Sequence, residues 1–343
     1  MKISKREISA VVSLILVLAL LGGGAAIAGK LLEKTPVADG TADETVKGKE
    51  SILPSKKIKL LGETYSYDHQ IESYLLLGTD ASGNEEAEGE AYEGSMADVL
   101  CVLVLDKTAK TYALLQLNRD TITKVDLMTR DGECNATAEL QLCTAHWYGG
   151  NKTMSCENTV TAVSRMLGGV SMNGYVALSM QHITFLNHLV GGVTVTIEDD
   201  FSAEDASLVM GETITLTDEQ AEHYIRARMG VGDGENLSRM RRQRQYLTAF
   251  AAKAKEQLGG DAKQTLSMAQ DILAMSTTDL TEKKLSGIAD MLYQYENLGI
   301  YTIDGTSALG MRLGDGLEHA EYYLDDQSLV DTLTELYSLK KEA

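Results

Sequence analysis

The sequence predicts an α/β protein: an αβα sandwich with a central mixed sheet flanked by helices, preceded by one N-terminal transmembrane helix. Three observations carry this expectation. An uncharged, largely apolar run extends from Ile8 to Gly29. Apolar runs of strand length at Ile71–Leu77, Val99–Leu105 and Tyr112–Leu117 are followed by helix-period segments at 155–167 and 181–190. From Ile71 to Ala343 there is neither an internal repeat nor a second linker, a length ample for one large domain.

The apolar run of 22 residues, at about 1.5 Å per residue, spans about 33 Å, enough for a bilayer core. Lys2, Lys5 and Arg6 precede it and hold the N-terminus on the cytoplasmic side. Ala26-Ile27-Ala28 also fits a signal-peptidase site, and either route places the body outside the cell membrane. Residues 30–70 contain both prolines, Pro36 and Pro54, among Gly, Thr, Asp, Glu and Lys, a composition that reads as a linker. The organisation expected is a cytoplasmic tail (1–7), a single-pass anchor (8–29), an extracytoplasmic linker (30–70) and a body (71–343) with 260–343 as its C-terminal extension. The formal charge is −19, and removing the net +3 of residues 1–30 leaves −22. Such a surface repels nucleic acid and acidic lipid.

Within the body, VLCVLVL at 99–105 is apolar throughout, as a strand covered on both faces should be. Ser155 is the expected N-cap of the next helix, and Gly191-Gly192 closes the helix after it. Val193–Ile197 reads as a further strand and Leu329–Leu339 as a terminal helix.

The chemistry concentrates at Arg226 to Gln243, RARMGVGDGENLSRMRRQ, where Arg226, Arg228, Arg239, Arg241 and Arg242 fall within seventeen residues of an acidic chain. Residues two apart share a side only in extended chain. Arg226 and Arg228 therefore converge if the helix begun at Thr217 or Asp218 ends by about Tyr224. Downstream, Met240, Leu247, Phe250, Ala251, Ala254 and Leu258 form an apolar stripe, with Arg239, Arg242, Gln243 and Tyr246 along its flank. Guanidinium forks suit phosphate.

Strand ends carry further marks. Asp80 follows the first strand, Asp98 opens the second, and Arg119-Asp120 follows the third, where open α/β sheets place ligands. Asp80 and Asp98 could share one Mg²⁺, with Mn²⁺ as the alternative, since that ion takes one or two carboxylates and completes its shell with water and phosphate oxygens. A divalent cation and arginines together suit phosphoryl transfer.

YLLLGTD at 74–80, ADVL at 97–100, LNRDT at 117–121, GYVALSM at 174–180, LVGGVTV at 189–195, HYIRAR at 223–228 and SRMRRQRQ at 238–245, in this order and spacing, resemble the LytR-CpsA-Psr proteins, membrane-anchored ligases of bacterial cell-wall polymers. The resemblance covers roughly Tyr74 to Lys255. It implies transfer of a glycopolymer such as teichoic acid from a polyprenyl-pyrophosphate carrier to the muramic acid 6-hydroxyl of peptidoglycan, with the membrane as a third partner and no nucleic acid. It implies Asp80 and Asp98 near a Mg²⁺–pyrophosphate, and Arg119, Arg226, Arg228, Arg239, Arg242 and Gln243 on the pyrophosphate. Asp120 orients Arg119, and the lipid tail lies in an apolar cleft under the sheet. Asp80 or Asp98 is then nearest the incoming hydroxyl.

Two departures stand out. Where the family has Asp-x-x-Arg, this chain has Asn236-Leu237-Ser238-Arg239, with Asp233 three residues earlier; where the family has an asparagine, this chain has Cys143. The acid-rich loop between Asp80 and Asp98 (Glu85, Glu86, Glu88, Glu90, Glu93) is poorly suited to a polyanionic polymer. A non-catalytic receptor for prenyl pyrophosphate or wall glycan, and a polyprenyl-pyrophosphate pyrophosphatase, are the alternatives.

Of four cysteines, Cys101 is expected buried and free in its strand, and Cys143–Cys156 is the favoured disulfide in an oxidising exterior. His146 and His182 read as packing or hydrogen-bonding residues, and Trp147 as a core residue in preference to a glycan platform.

Overall fold

The computed structural model describes residues 57–80, 94–129, 131–228, 230–232, 236–258 and 273–342. The run 8–29, the acid-rich loop and Asp233 lie outside the described residues, among which no helix is long and apolar enough to cross a membrane.

In chain order, a short hairpin of β1 (Lys57–Leu60) and β2 (Glu63–Ser66) precedes the long strands β3 (Ile71–Thr79), β4 (Ala97–Asp106) and β5 (Thr111–Leu117). A ribbon of β6 (Ile122–Met128) and β7 (Cys134–Gln141) leads to α1 (Thr144–Trp147), α2 (Lys152–Met166) and β8 (Tyr175–Ser179). A 3-10 turn (Met180–His182) opens into α3 (Ile183–Leu189). The ribbon of β9 (Thr194–Thr196) and β10 (Thr213–Thr215) follows, then α4 (Asp218–Arg226) and α5 (Asn236–Leu258). The chain closes with β11 (Ser276–Thr278), α6 (Glu282–Gln294), β12 (Glu296–Thr302), the hairpin β13 (Gly305–Gly310) and β14 (His319–Leu324), α7 (Asp326–Tyr337) and β15 (Lys340–Lys341).

The central sheet has the order β11-β8-β3-β4-β5-β12. β4 is antiparallel to both β3 and β5, whereas β8 and β12 run parallel to β3 and β5, so the sheet is mixed. Its side chains alternate between two cores, as the two-residue strand period requires. Tyr74, Leu103, Leu105, Tyr112 and Leu114 join Leu186, Tyr224, Phe250 and Ile288 on one face. Leu75, Leu77, Val102, Val104 and Leu115 join Cys156, Val163, Leu333 and Leu336 on the other. The uninterrupted apolar strand is thus covered by α3–α6 on one side and by α2 and α7 on the other, and its buried side chains are worth about 1.5–3 kcal/mol each.

Several expectations are corrected. The folded body begins at Lys57, inside the segment read as linker: β1 buries Ile58 and Leu60 on alternate positions, and Lys59 N–H bonds the Gly168 carbonyl at 2.8 Å. Only two apolar residues between lysines signal this strand, and its partner β15 arrives from the far end of the chain through β2. The helix read from Ser155 starts three residues earlier, at Lys152, because Asn151 is its N-cap and accepts from Met154 N–H at 3.0 Å. α4 runs to Arg226, two residues beyond the expected end, with the Thr217–Gln220 capping box at its start. The strand read at Val193–Ile197 pairs only with β10, away from the central sheet. All four cysteines are free, so the Cys143–Cys156 disulfide is not formed: the Cys143 sulfur packs 4.0 Å from the Met96 sulfur, while that of Cys156 lies 3.8 Å from His146 Nε2.

The C-terminal extension completes the architecture. β11 and β12 are the sheet's outer strands, α6 and α7 cover opposite faces, and the β13–β14 hairpin docks beside the end of β5 through the 2.8 Å bond from Tyr322 N–H to the Asp120 carbonyl.

Candidate active site

Three strands deliver charged residues to one end of the sheet. Thr79 of β3 pairs with Ala97 of β4, and Leu100 with Leu117 of β5; Asp80, Asp98 and Arg119-Asp120 consequently cluster at that end. Asp80 N–H bonds the Met96 carbonyl at 2.8 Å. Two residues before Asp80, Gly78 is required by space, because a Cβ there would stand 2.9 Å from Val99 Cβ. The turn bearing Arg119 and Asp120 is fixed by Asn118, whose Oδ1 accepts from Asp120 N–H at 3.0 Å. Backbone bonds from Leu142 and Cys143 to the Thr121 and Arg119 carbonyls hold it from one side, and Tyr322 holds it from the other.

Arginines close over these carboxylates. Arg119 pairs with Asp98 and, at 3.3 Å, with Asp120; Arg228 reaches the other Asp120 oxygen at 3.3 Å. Arg239 lies 3.6 Å from Asp98. Arg226, the last residue of α4, spans Asp80 at 2.9 Å and Glu222 at 2.7 Å. Ala227 leaves the helix with ψ of 133°, and this extended step brings Arg228 to the same cluster as Arg226.

Asn236 stands where a carboxylate was expected. Its Oδ1 accepts from Arg239 Nε at 3.1 Å and Nη2 at 2.6 Å, and its Nδ2 donates to Asn118 at 2.6 Å. The geometry is that of a bidentate acid–arginine pair without the charge. Burial, with the like charge of Arg119 next, pushes the Arg239 guanidinium down to about 9. Four guanidiniums meet three aspartates here, with Glu222 as a fourth carboxylate on Arg226, and several polar atoms lack a hydrogen bond of good geometry: Arg119 Nε, Arg228 Nε and Asp120 Oδ2 are buried without one. Arginines that are partly buried and incompletely bonded suit an anion.

Arg242 does not join it. Only 1% exposed, it donates to the Tyr224 carbonyl at 3.0 Å, to Asp199 at 2.6 Å and to the Ala227 carbonyl, and it lies over the Phe201 ring. Its role is to pin the end of α4. Gln243 points elsewhere again: it is buried and lines an apolar cleft, where its Nε2 has no hydrogen-bond partner.

That cleft lies between the sheet and α3–α5 and is walled by Leu76, Val99, Leu178, Ile183, Tyr246 and Phe250 among others, with a cavity volume of about 140 Å³. Gly78, Ile225 and Gln243 also line it; they are chain neighbours, or one helical turn, from Asp80, Arg226 and Arg239. A second cavity of about 470 Å³, of mixed polar and apolar lining, opens from Arg119, Asp120 and Arg228 toward α1 and the β13–β14 hairpin. Trp147 lines it and is 48% exposed, which overturns its reading as a core residue. His146 is a packing residue as expected: its ring bonds the Ser95 carbonyl at 2.7 Å, and burial lowers its pKa. Burial also pushes the Cys143 thiol up, so beside Arg119 it is neutral.

Among the described residues no group of three or more His, Cys, Asp or Glu could hold a metal ion. The donor set nevertheless fits a cation shared with a ligand, because Asp80 and Asp98 flank the same register pair of β3 and β4, and Mg²⁺ commonly takes no more than two carboxylates beside phosphate oxygens.

Comparisons with known proteins agree with the fold. Biofilm regulatory protein A of Streptococcus mutans is 28% identical over 261 residues, covering 72% of this chain and 61% of that protein. The polyisoprenyl-teichoic acid–peptidoglycan teichoic acid transferase TagU of Bacillus cereus is 25% identical over 286 residues, covering 81% of this chain and 82% of its own. Among solved structures, TagT bound to LI-WTA superposes with a TM-score of 0.54 at 21% identity, covering 78% of this chain and 90% of that one. A Streptococcus agalactiae protein reaches 0.61 at 19% identity, covering 79% and 89%. The family model described as the LytR_cpsA_psr family matches residues 38–338, and the chain belongs to the LytR-CpsA-Psr family.

Proposed function

We propose that the protein is a phosphotransferase that moves an anionic cell-wall glycopolymer from polyprenyl pyrophosphate to peptidoglycan, working at the outer face of the cell membrane. The observation that carries this reading is the junction of the arginine cluster with the apolar cleft. The segments that bear Asp80, Arg226 and Arg239 also line the cleft, so one ligand with a pyrophosphate head and an isoprenoid tail fills both. The teichoic acid transferase named among the relatives supports the substrate class.

Arg119, Arg226, Arg228 and Arg239 bind the pyrophosphate oxygens and offset the charge that builds on them during transfer. The acceptor hydroxyl oxygen attacks the sugar-linked phosphorus. A phosphodiester forms, the bond from that phosphorus to the bridging oxygen breaks, and the bridging oxygen leaves with polyprenyl phosphate. The hydroxyl proton passes to a carboxylate of the cluster, and Asp→Asn variants at 80, 98 and 120 identify which. Asp80 and Asp98 would hold Mg²⁺, which supplies charge neutralisation at the phosphate oxygens.

The test is release of polyprenyl phosphate from a polyprenyl-pyrophosphate saccharide, with and without Mg²⁺ and peptidoglycan, in the wild type, Asp98→Ala and Arg226→Ala. Metal-dependent transfer onto peptidoglycan, lost in both variants, is the expected result. Binding without turnover in the presence of acceptor replaces the ligase with a receptor, and release of saccharide phosphate into solution alone replaces it with a pyrophosphatase. Asn236 favours neither alternative, since it keeps Arg239 in bidentate geometry.

A further inference from the structure

Arg119 and Arg228 form one side of the second cavity, and the rest of it lies beyond what a lipid pyrophosphate needs. It shares no lining residue with the apolar cleft. The cleft faces the layer of α3–α5, whereas this cavity is built from β7, α1 and the β13–β14 hairpin and is lined by Arg119 and Arg228 of the cluster. Displacement at phosphorus is in line, so the nucleophile enters opposite the leaving group. With the isoprenoid in the cleft, the free approach to the phosphorus is from this cavity.

Its lining matches a sugar. Trp147 presents a half-exposed indole, an apolar face with a polar edge of the kind suited to stacking. Gln141, 3% exposed, donates through Nε2 to the Ala320 carbonyl at 3.3 Å, and its Oε1 is buried with no hydrogen-bond partner. Across the cavity, His319 and Asp315 bond each other at 2.8 Å, and Asp315 also accepts from Leu317 N–H at 3.0 Å. The size falls within the roughly 300–1,000 Å³ of small-molecule sites.

We propose that this cavity is the acceptor subsite, where a pyranose ring of the peptidoglycan glycan stacks on Trp147 while its polar substituents meet Gln141, Asp315 and His319. The hairpin thereby gives the C-terminal extension a role in acceptor choice. The assignment rests on the phosphotransferase reading, and the donor's own first sugars share the same chemistry; the experiment separates both.

Trp147 is the only tryptophan of the chain, so emission excited in the indole band, beyond tyrosine absorption, reports this position alone. The full chain is titrated with an N-acetylglucosamine–N-acetylmuramic acid tetrasaccharide, and transfer kinetics are measured for Trp147→Ala, Trp147→Phe and His319→Ala. A saturable emission change is expected. The acceptor KM rises about tenfold in Trp147→Ala, less in Trp147→Phe, and the loss falls on KM more than on kcat. An unchanged acceptor KM, or a loss confined to affinity for the prenyl-pyrophosphate saccharide, overturns the assignment while the ligase stands. If the wild type shows no transfer at all, the phosphotransferase reading fails, and the emission titration alone decides the subsite: saturation upholds glycan binding and a flat response removes it.

Discussion

Replacing Asn236 by aspartate tests how the cluster is balanced. One oxygen of the new carboxylate would lie where Oδ1 now accepts two bonds from Arg239, at 2.6 and 3.1 Å, so the Arg239 side of the pair needs no rearrangement. The Nδ2 donation to Asn118 is lost, and the second carboxylate oxygen would instead meet Asn118 Oδ1, already an acceptor for Asp120 N–H, at the 2.6 Å now spanned by that donation, a repulsion relieved only by a shift of one oxygen. Hydrogen bonds to a charged partner contribute about 1.5–3 kcal/mol where neutral ones contribute about 1. Against this stand the desolvation of a carboxylate at a buried position and the repulsion from Asn118; the pairing with Arg239 is expected to outweigh both by about 1 kcal/mol, or roughly 2–4 °C in Tm for a body of this size. Because Arg239 is held down to about 9, the variant raises its pKa toward the ordinary arginine value. The gain is full below pH 9 and fades as pH rises through and beyond it. The same shift governs ligand binding: above pH 9 the wild type must take up a proton to bind pyrophosphate, so its affinity falls with rising pH, whereas Asn236→Asp keeps a flat profile with weaker affinity at pH 7. Thermal melts from pH 6 to 10 and calorimetric titration with a short prenyl pyrophosphate measure both. A lower Tm at pH 7, or an unchanged alkaline limb in the variant, refutes this balance of charges.

Other expectations are simpler. Arg242→Ala lowers stability by about 1.5–3 kcal/mol through loss of its buried bond to Asp199, which keeps Arg241 at 2.6 Å, and the denaturant midpoint reports it; a fold of unchanged stability with lost pyrophosphate binding would return Arg242 to the ligand. Truncation of residues 57–66 removes the burial of Ile58 and Leu60, about 3–6 kcal/mol at 1.5–3 per side chain, so a body starting at Ile71 melts well below one that retains Lys57. Reductant leaves the Tm unchanged, because the cysteines are free; a Cys143–Cys156 bridge would have contributed about 3 kcal/mol, and a drop on reduction would restore it.

What was legible in the sequence follows from the range of the signals. The long strands announced themselves because both faces are buried, and Asp80, Asp98 and Arg119 were legible as strand-end residues. Arg226 and Arg228 were placed together by an argument about spacing that survived a helix two residues longer than expected, since Ala227 supplies the extended step. Arg242 was not separable from Arg239 by periodicity. The two share a flank of α5, and only Asp199, brought in from beyond β9, draws Arg242 away. Trp147 was misread because a four-residue helix has too little period to say which side faces out. The pairing of β15 with β2 joins residues more than 270 apart in sequence, which no local pattern encodes. The buried free cysteines took opposite neighbours, Met96 and His146, that the spacing of sulfurs could not reveal.

The most direct test of a single lipid-pyrophosphate site is the affinity of the wild type, Arg228→Ala and Leu178→Trp for a prenyl pyrophosphate and for inorganic pyrophosphate. Leu178 lines the cleft, whose walls include no arginine, so filling the cleft should weaken the lipid by tenfold or more, about 1.4 kcal/mol, and leave inorganic pyrophosphate unaffected, while Arg228→Ala weakens both. Unchanged lipid affinity in Leu178→Trp would contradict the placement of the tail, and unchanged affinity for both ligands in Arg228→Ala would contradict the placement of the head.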